Sequence, residues 1–251
     1  MDNSQSSRNF DADTDDARRG RRSLRGVMSS SFLAAAAARA ADALRASQQC
    51  TRLVVGFHGL GGSSATLRPL TMKWKEALPR TSFVLLDADF DESGRRNWFP
   101  FTIPPDATES ERVTVILGAL QAAMAHADAK IDDALATAGL SSRELVLMGF
   151  SQGAAMSAYT GLRRRCLGVM PMGGPCPPRE QLLPDHQETR VCVISGDCDR
   201  YAPHDHIREA FAKYAKVEPG DGVHIIEGLE HRVQNEHATI GLAFLRSCGC
   251  E

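Results

Sequence analysis

The chain has 251 residues, of which 43% are hydrophobic and 24% charged, and its formal net charge is −2. This near-neutral balance argues against a nucleic-acid-binding protein, and no apolar stretch approaches the ~20 residues that a membrane span needs. The seven cysteines are scattered without a metal-binding pattern, which predicts free thiols, a reducing compartment and a cytoplasmic location.

The first 31 residues differ in composition from the rest of the chain. Acidic residues between Asp11 and Asp16 precede a run of arginines from Arg18 to Arg25, and core-forming residues are almost absent. Such a segment buries too little apolar surface to fold alone, and it lacks the apolar region of a signal peptide. We expect a disordered, solvated tail over residues 1–31, with transient contact to an anionic membrane surface as the alternative, and a single folded domain over residues 32–251.

Strands and helices are expected to alternate through this domain. Helical spacing of apolar residues predicts helices over 110–138 and 237–246. Short apolar runs predict strands over residues 53–57, 82–87, 144–148, 167–172, 190–194 and 223–227. Alternation of this kind predicts an α/β fold, with a mostly parallel central sheet and helices on both faces.

A glycine-rich loop, from His58 to Gly62, follows the first strand. Its glycines let the backbone curl so that one amide can point into an oxyanion hole, the group of donors that stabilises negative charge developing on a substrate oxygen. We expect this amide to be that of Leu60. A generic glycine-rich turn is the alternative, since the loop matches neither common nucleotide-binding pattern.

The segment 88–107 is irregular yet apolar, and it carries Trp98, Phe99, Phe101 and Ile103. A loop this apolar usually covers something. Two interpretations stay open: the segment packs on its own domain as a satellite core, or Trp98 and Phe99 form the wall of a substrate groove.

The stretch Gly149-Phe150-Ser151-Gln152-Gly153 has the G-x-S-x-G pattern, with a strand before it and a helix after it. In this context the pattern is typical of a sharp turn that exposes a serine hydroxyl as a nucleophile. The backbone amide of Gln152, the residue after this serine, is then expected to be the second oxyanion donor, beside the amide of Leu60. A serine in an ordinary loop is the alternative.

A serine nucleophile needs an acid and then a histidine, each on a loop after a later strand. Asp197 and Asp199 compete for the acid; we favour Asp199, because Asp197 directly follows a glycine and is expected to bond within its own turn. His231 follows the last strand and is the expected base. His224 lies inside that strand, and His237 is expected on the surface of the next helix.

Several motifs together resemble those of acyl-protein thioesterases, in the carboxylesterase/lysophospholipase branch of the α/β-hydrolases. The resemblance spans about residues 52–245 and rests on the segments 58–62, 97–99, 149–154, 196–199 and 227–231. Two positions depart from the pattern: Ser195 stands where the family usually has His, and Pro100 where it usually has Asp.

The resemblance implies Ser151 as nucleophile, Asp199 as acid and His231 as base, with Leu60 and Gln152 as oxyanion donors. It favours the groove interpretation of Trp98 and Phe99, and it implies that no metal or cofactor is required. S-acylated proteins are the leading substrates. A lysophospholipase or small-ester carboxylesterase acting on acyl lipids or esters is the alternative enzyme, and a catalytically silent binding protein of the same fold is the non-enzyme alternative.

Overall fold

A computed structural model describes residues 49–89, 91–99, 104–174, 189–211 and 220–251. The predicted tail, the start of the predicted domain, and Pro100, Phe101 and Ile103 lie outside the described residues. The expected cytoplasmic location and the expectation for contact between the tail and a membrane rest on the sequence alone. In the described part of the chain, no helix has the length and apolar character that a membrane crossing requires.

Strands and helices alternate along the described chain. The strands are β1 (Arg52–Phe57), β2 (Thr81–Leu86), β3 (Leu145–Phe150), β4 (Gly168–Met172), β5 (Arg190–Gly196) and β6 (Gly222–Ile226). The helices are α1 (Ser64–Ala77), α2 (Glu109–Ala138), α3 (Gln152–Arg164), α4 (His204–Phe211) and α5 (Asn235–Ser247). Each predicted strand and both predicted helices are present, with ends that differ by a few residues at most.

The strands form one six-stranded sheet in the order β2-β1-β3-β4-β5-β6, and every recorded pairing is parallel. The predicted α/β fold with a parallel sheet is confirmed. Because all strands run the same way, their carboxyl ends meet at one edge, where the loops after β1, β3, β4, β5 and β6 come together.

Alternate strand residues separate the core into two layers, as the two-residue period of a strand requires. Val55 and Leu147 face the layer that contains α2, α3 and α4, whereas Val54 and Val146 face the layer that contains α1 and α5. Strands buried on both faces are the reason that their sequences are almost continuously apolar.

One residue of helix α5, His237, is not where the sequence predicted it. His237 was expected on the surface, but its side chain is buried, with 1% of the residue exposed, and its Nδ1 accepts a hydrogen bond from the Gln234 amide at 3.1 Å. Burial lowers the pKa of His237 to about 4. His237 shares its helix face with Gly241, Phe244 and Leu245, which are also buried.

The cysteines of the described chain are free thiols. Cys248 and Cys250 near the chain end are buried, at 4% and 3% exposed, and burial raises the pKa of their thiols to about 12 and about 11. Burial also raises the pKa of Cys166 to about 12. Thiols in these surroundings are poor nucleophiles.

Candidate active site

Ser151 occupies a strained turn between β3 and α3. Its backbone has φ 57° and ψ −120°, which a residue with a side chain rarely adopts. The flanking glycines are required by close packing: a Cβ on Gly149 would lie 2.0 Å from the Gly153 carbonyl oxygen, and one on Gly153 would lie 2.1 Å from the Phe57 oxygen. The Ser151 amide donates to the Met172 carbonyl at 2.9 Å, so β4 also holds the turn.

The Ser151 hydroxyl meets the imidazole of His231. Ser151 Oγ lies 2.9 Å from His231 Nε2, and His231 Nδ1 lies 2.8 Å from Asp199 Oδ2. A carboxylate only accepts hydrogen bonds, so Nδ1 carries the proton and Nε2 is left to accept from the serine hydroxyl. The structure thus brings together the three side chains that the sequence singled out.

Asp199 is held by its own loop. Its side chain is 1% exposed, and its second oxygen, Oδ1, accepts from the amides of Tyr201 at 2.9 Å and Ala202 at 3.0 Å. A buried carboxylate needs such partners to offset the loss of hydration. With both oxygens engaged, the acid points Oδ2 at His231 and has no freedom to rotate away without losing two hydrogen bonds.

Asp197 points elsewhere. It is exposed, and its Oδ1 accepts from the Gly228 amide at 2.7 Å. The partner belongs to the loop after β6. Asp197 also bonds within its own turn, as expected, since a hydrogen bond to Asp197 raises the pKa of the neighbouring Cys198 thiol. The two loops are packed closely, since a Cβ on Gly196 would lie 1.9 Å from the Leu229 oxygen. Asp197 therefore fastens the loop that carries the acid to the loop that carries His231.

The glycine-rich loop after β1 lies against Ser151. A Cβ on Gly59 would stand 3.1 Å from the Ser151 Cβ. Gly61 has φ 72° and its amide donates to Arg96 O at 2.9 Å, while the Gly62 amide donates back to Gly59 O at 3.0 Å. Leu60, the predicted donor, stands between Gly59 and these two engaged amides.

Gln152, the other predicted donor, is the first residue of α3. The first amides of a helix have no acceptor within the helix, and the helix dipole adds partial positive charge there. The amide of Gln152 therefore lies at the positive end of a helix, directly after Ser151.

His58 supports this loop from inside the protein. It is fully buried, its Nδ1 lies 2.7 Å from Gly59 O, and its Nε2 accepts from the Ala88 amide at 3.1 Å. Because Nε2 is the acceptor, Nδ1 is the donor to Gly59 O. Burial lowers the pKa of His58, against the opposing charge of Asp87, so the ring is kept neutral.

Trp98 and Phe99 belong to the core of the domain. They are 9% and 2% exposed, and the Trp98 ring packs edge-on against Phe57 at a centroid distance of 5.2 Å. The Trp98 Nε1 donates to His58 O at 2.8 Å. Both side chains thus pack on their own domain, in its main core rather than in a satellite core, and their role in substrate binding stays a prediction.

The side chain of Gln152 is a feature that sequence reasoning missed. Its Oε1 accepts from the Trp98 amide at 3.0 Å, and its Nε2 donates to Asn97 Oδ1 at 2.7 Å and to Phe99 O at 2.8 Å. One residue thus offers its backbone amide beside Ser151 and anchors the segment 97–99 with its side chain. No sequence pattern predicts which loop a buried glutamine reaches.

Two glycines after β4 were also missed. Gly173 has φ 51°, and a Cβ there would lie 3.2 Å from Asp199 Oδ2; a Cβ on Gly174 would lie 2.1 Å from the Ala154 Cβ. The absence of side chains lets Gly173 approach Asp199 and His231 closely, and lets Gly174 pack against Ala154 in α3. A Gly-Gly pair directly after a predicted strand was the available signal.

Ser195, where the resemblance expects a histidine, lies in β5. It is fully buried, and its Oγ has no hydrogen-bond partner within the described residues. In the same part of the chain, no group of three or more His, Cys, Asp or Glu side chains is arranged to hold a metal ion.

The chain is similar to a known protein family and to several proteins of known structure. Residues 40–248 match the family model described as phospholipase/carboxylesterase. The structure of esterase PE8 is 28% identical, with a TM-score of 0.67, over 79% of this chain and 93% of that chain. SOBER1 from Arabidopsis thaliana is 21% identical, with a TM-score of 0.60, over 78% of this chain and 98% of that chain.

A carboxylesterase from Mesorhizobium loti is 18% identical, with a TM-score of 0.60, over 81% of this chain and 92% of that chain. The last two similarities concern the fold. The family match spans all five loops at the carboxyl edge of the sheet that carry the residues described above.

Proposed function

Because the chain belongs to the phospholipase/carboxylesterase family of hydrolases, we propose that it is a serine hydrolase with Ser151 as nucleophile, His231 as base and Asp199 as orienting acid. One observation carries the proposal: Ser151 Oγ, the His231 ring and Asp199 form an unbroken line of contacts of 2.9 and 2.8 Å. A serine with only a structural role requires neither this chain of hydrogen-bonded contacts nor the strained backbone conformation of Ser151.

The first half-reaction forms an acyl-enzyme. His231 Nε2 takes the hydroxyl proton as Ser151 Oγ attacks the acyl carbonyl, and Asp199 stabilises the resulting imidazolium. The amides of Leu60 and Gln152 donate to the oxyanion. When the bond to the leaving group breaks, His231 returns the proton to the departing oxygen or sulfur. Water, activated by the same histidine, then releases the acid and restores Ser151.

For the substrate, we propose acyl thioesters of S-acylated proteins, which the motif resemblance favours. The exposed Tyr201 ring beside His231, and the exposed side chain of Leu60 in the glycine-rich loop, support an apolar substrate. A lysophospholipase or small-ester carboxylesterase remains the second candidate, favoured by the family description. The free thiols of the described residues support the further proposal that the protein works in the cytoplasm. The motif resemblance favours a reaction that needs no cofactor.

Covalent labelling tests the nucleophile. A fluorophosphonate should modify the full-length protein at Ser151, as shown by peptide mass spectrometry, and Ser151→Ala should not be modified. Ser157, a buried serine in the helix that follows Ser151, offers a matched control, since Ser157→Ala should still be labelled. Absence of an adduct on the folded wild type would leave the binding-protein alternative.

A chain-length profile tests the substrate. Matched thioesters and oxyesters from acetyl to palmitoyl should be compared by kcat/KM below their micelle thresholds. A thioester preference that grows with acyl length supports the thioesterase, whereas a maximum at short oxyesters supports the carboxylesterase.

A further inference from the structure

The imidazole of His231 contacts two aromatic rings. The Phe150 ring is 4.8 Å away between centroids and tilted by 34°, and the Tyr201 ring is 4.9 Å away and tilted by 55°. Phe150 is half-buried, whereas Tyr201 is 76% exposed. The two rings therefore differ in one respect that matters for a substrate: only the Tyr201 ring is widely open to solvent.

The backbone of Tyr201 is fixed although its ring is open. Its amide donates to Asp199 Oδ1, and the neighbouring Ala202 is buried and donates to the same oxygen. The position of the ring beside His231 is thus set by the same hydrogen bonds that orient the acid. An exposed side chain on a backbone that is held in place is suited to contact a ligand, since the backbone loses little entropy when the ligand binds.

Exposed large apolar side chains are few in the described part of the chain. They are Leu60, Met72, Val115 and Tyr201. Two of the four adjoin the candidate site: Leu60 follows Gly59, which packs on Ser151, and Tyr201 contacts His231. Such placement is typical of a binding surface rather than of scattered surface residues.

The chemistry of the proposed function locates the leaving group relative to these rings. His231 Nε2 takes a proton from Ser151 Oγ and must give it to the departing oxygen or sulfur, so the leaving atom comes within hydrogen-bond distance of Nε2. The atoms attached to it then lie alongside the imidazole. Of the two rings that flank the imidazole, Tyr201 is the one accessible to them.

We propose that Tyr201 forms a leaving-group subsite that favours aromatic leaving groups of esters and thioesters. The inference rests on the proposed serine hydrolase function. An aromatic group on the departing oxygen or sulfur stacks on the Tyr201 ring while the bond between the acyl carbon and that atom breaks. The electron pair of this bond stays on the leaving atom, which receives the proton from His231.

A pair of esters that share one acyl group tests this inference. The acyl group is the one that the wild type hydrolyses fastest in the chain-length profile, and the leaving groups are benzyl alcohol and ethanol. The measured quantity is the ratio of kcat/KM for the benzyl ester to that for the ethyl ester. Intrinsic reactivity cancels when this ratio is compared between variants, and kcat/KM reports the acylation step, in which the leaving group departs.

Three variants are compared with the wild type. Tyr201→Ala should lower the benzyl-to-ethyl ratio about threefold to tenfold, the range expected for loss of one aromatic pair. Tyr201→Phe keeps the ring and should keep the ratio. Met72→Ala removes an apolar side chain that is 59% exposed on α1 and should leave the ratio unchanged.

Other outcomes overturn the inference. An equal loss on both esters in Tyr201→Ala would show that Tyr201 only positions His231, and an unchanged ratio would show that it contacts no leaving group. A Phe variant as defective as the Ala variant would assign the effect to the hydroxyl. If the folded wild type hydrolyses no thioester or oxyester of any length, the proposed function fails first, and the subsite with it.

Discussion

Replacing Asp199 with Asn is the sharpest test of the proposed site, because the structure determines how the amide must lie. Oδ1 of Asp199 accepts from the amides of Tyr201 and Ala202. The NH₂ group of an asparagine cannot accept hydrogen bonds, so the asparagine oxygen must take the Oδ1 position and its NH₂ must face His231 Nδ1.

The histidine then adopts the wrong tautomer. Nδ1 has to accept from the amide, so the proton moves to Nε2, which faces Ser151 Oγ 2.9 Å away. A protonated Nε2 cannot remove the serine proton. We expect kcat to fall about 10⁴-fold, equivalent to about 5 kcal/mol in the activation barrier, with the fold retained.

Asp197→Asn is a matched control on the same loop. Its Oδ1 accepts from Gly228 N in an exposed position, and asparagine keeps that acceptor. We expect a loss of less than about fivefold, since Asp197 is exposed and an asparagine oxygen still accepts the Gly228 amide.

Ester hydrolysis by both variants should be followed with a chromogenic ester, with circular dichroism melting as the check on folding. Asp197→Asn being the more damaging change, or Asp199→Asn retaining a tenth of wild-type kcat, would refute the tautomer argument.

Three further predictions follow from the contacts around the site. Gln152→Leu removes three hydrogen bonds between its side chain and the segment 97–99 and takes away the acceptor of the buried Trp98 amide, so urea unfolding should show a loss of about 2–4 kcal/mol; a loss below about 0.5 kcal/mol would contradict the anchoring role. His237 has its pKa lowered from 6.5 to about 4 by burial, so the unfolded state binds its proton first as the pH falls. The stability that neutral His237 contributes is complete above its unfolded pKa of 6.5 and is lost as the pH falls from that value to about 4. From pH 7 to pH 5, the free energy of unfolding should drop by about 2 kcal/mol more in the wild type than in His237→Gln. Equal drops in the two proteins would refute the buried-histidine argument. Trp98→Ala should lower the melting temperature, since the ring is buried. If Trp98 also lines an acyl groove, where each buried CH₂ contributes up to ~0.8 kcal/mol, the variant should lose more kcat/KM on long acyl esters than on acetyl esters, and an equal proportional loss would restrict Trp98 to a structural role.

Much of the site could be predicted because its signals are local. The glycines around Ser151 mark a backbone turn that only small neighbours permit, and apolar runs before it and before His231 mark buried parallel strands. Since parallel strands end at one edge of the sheet, the order along the chain was enough to bring Ser151, His231 and an acid to the same edge.

His237 shows a signal that was present and not used. Its helix neighbours Gly241, Phe244 and Leu245 recur at helical spacing, and all four residues are buried on one face. A polar residue within such a stripe faces the core with the rest, because the period of the helix decides its direction.

Other features depended on the tertiary structure. Asp197 and Asp199 are two residues apart on one loop, and only the packing of that loop against the loop after β6 decides that Asp199 turns inward and Asp197 bonds Gly228. The reach of Gln152 to the segment 97–99 and the placement of Tyr201 over His231 join residues 55 and 30 positions apart. The sequence by itself determined the sheet, the turn at Ser151 and the chain order of the reactive groups, since these follow from local backbone and burial patterns. The direction of each side chain at the sheet edge was decided by contacts between loops that are distant in sequence, and no local pattern encodes those contacts.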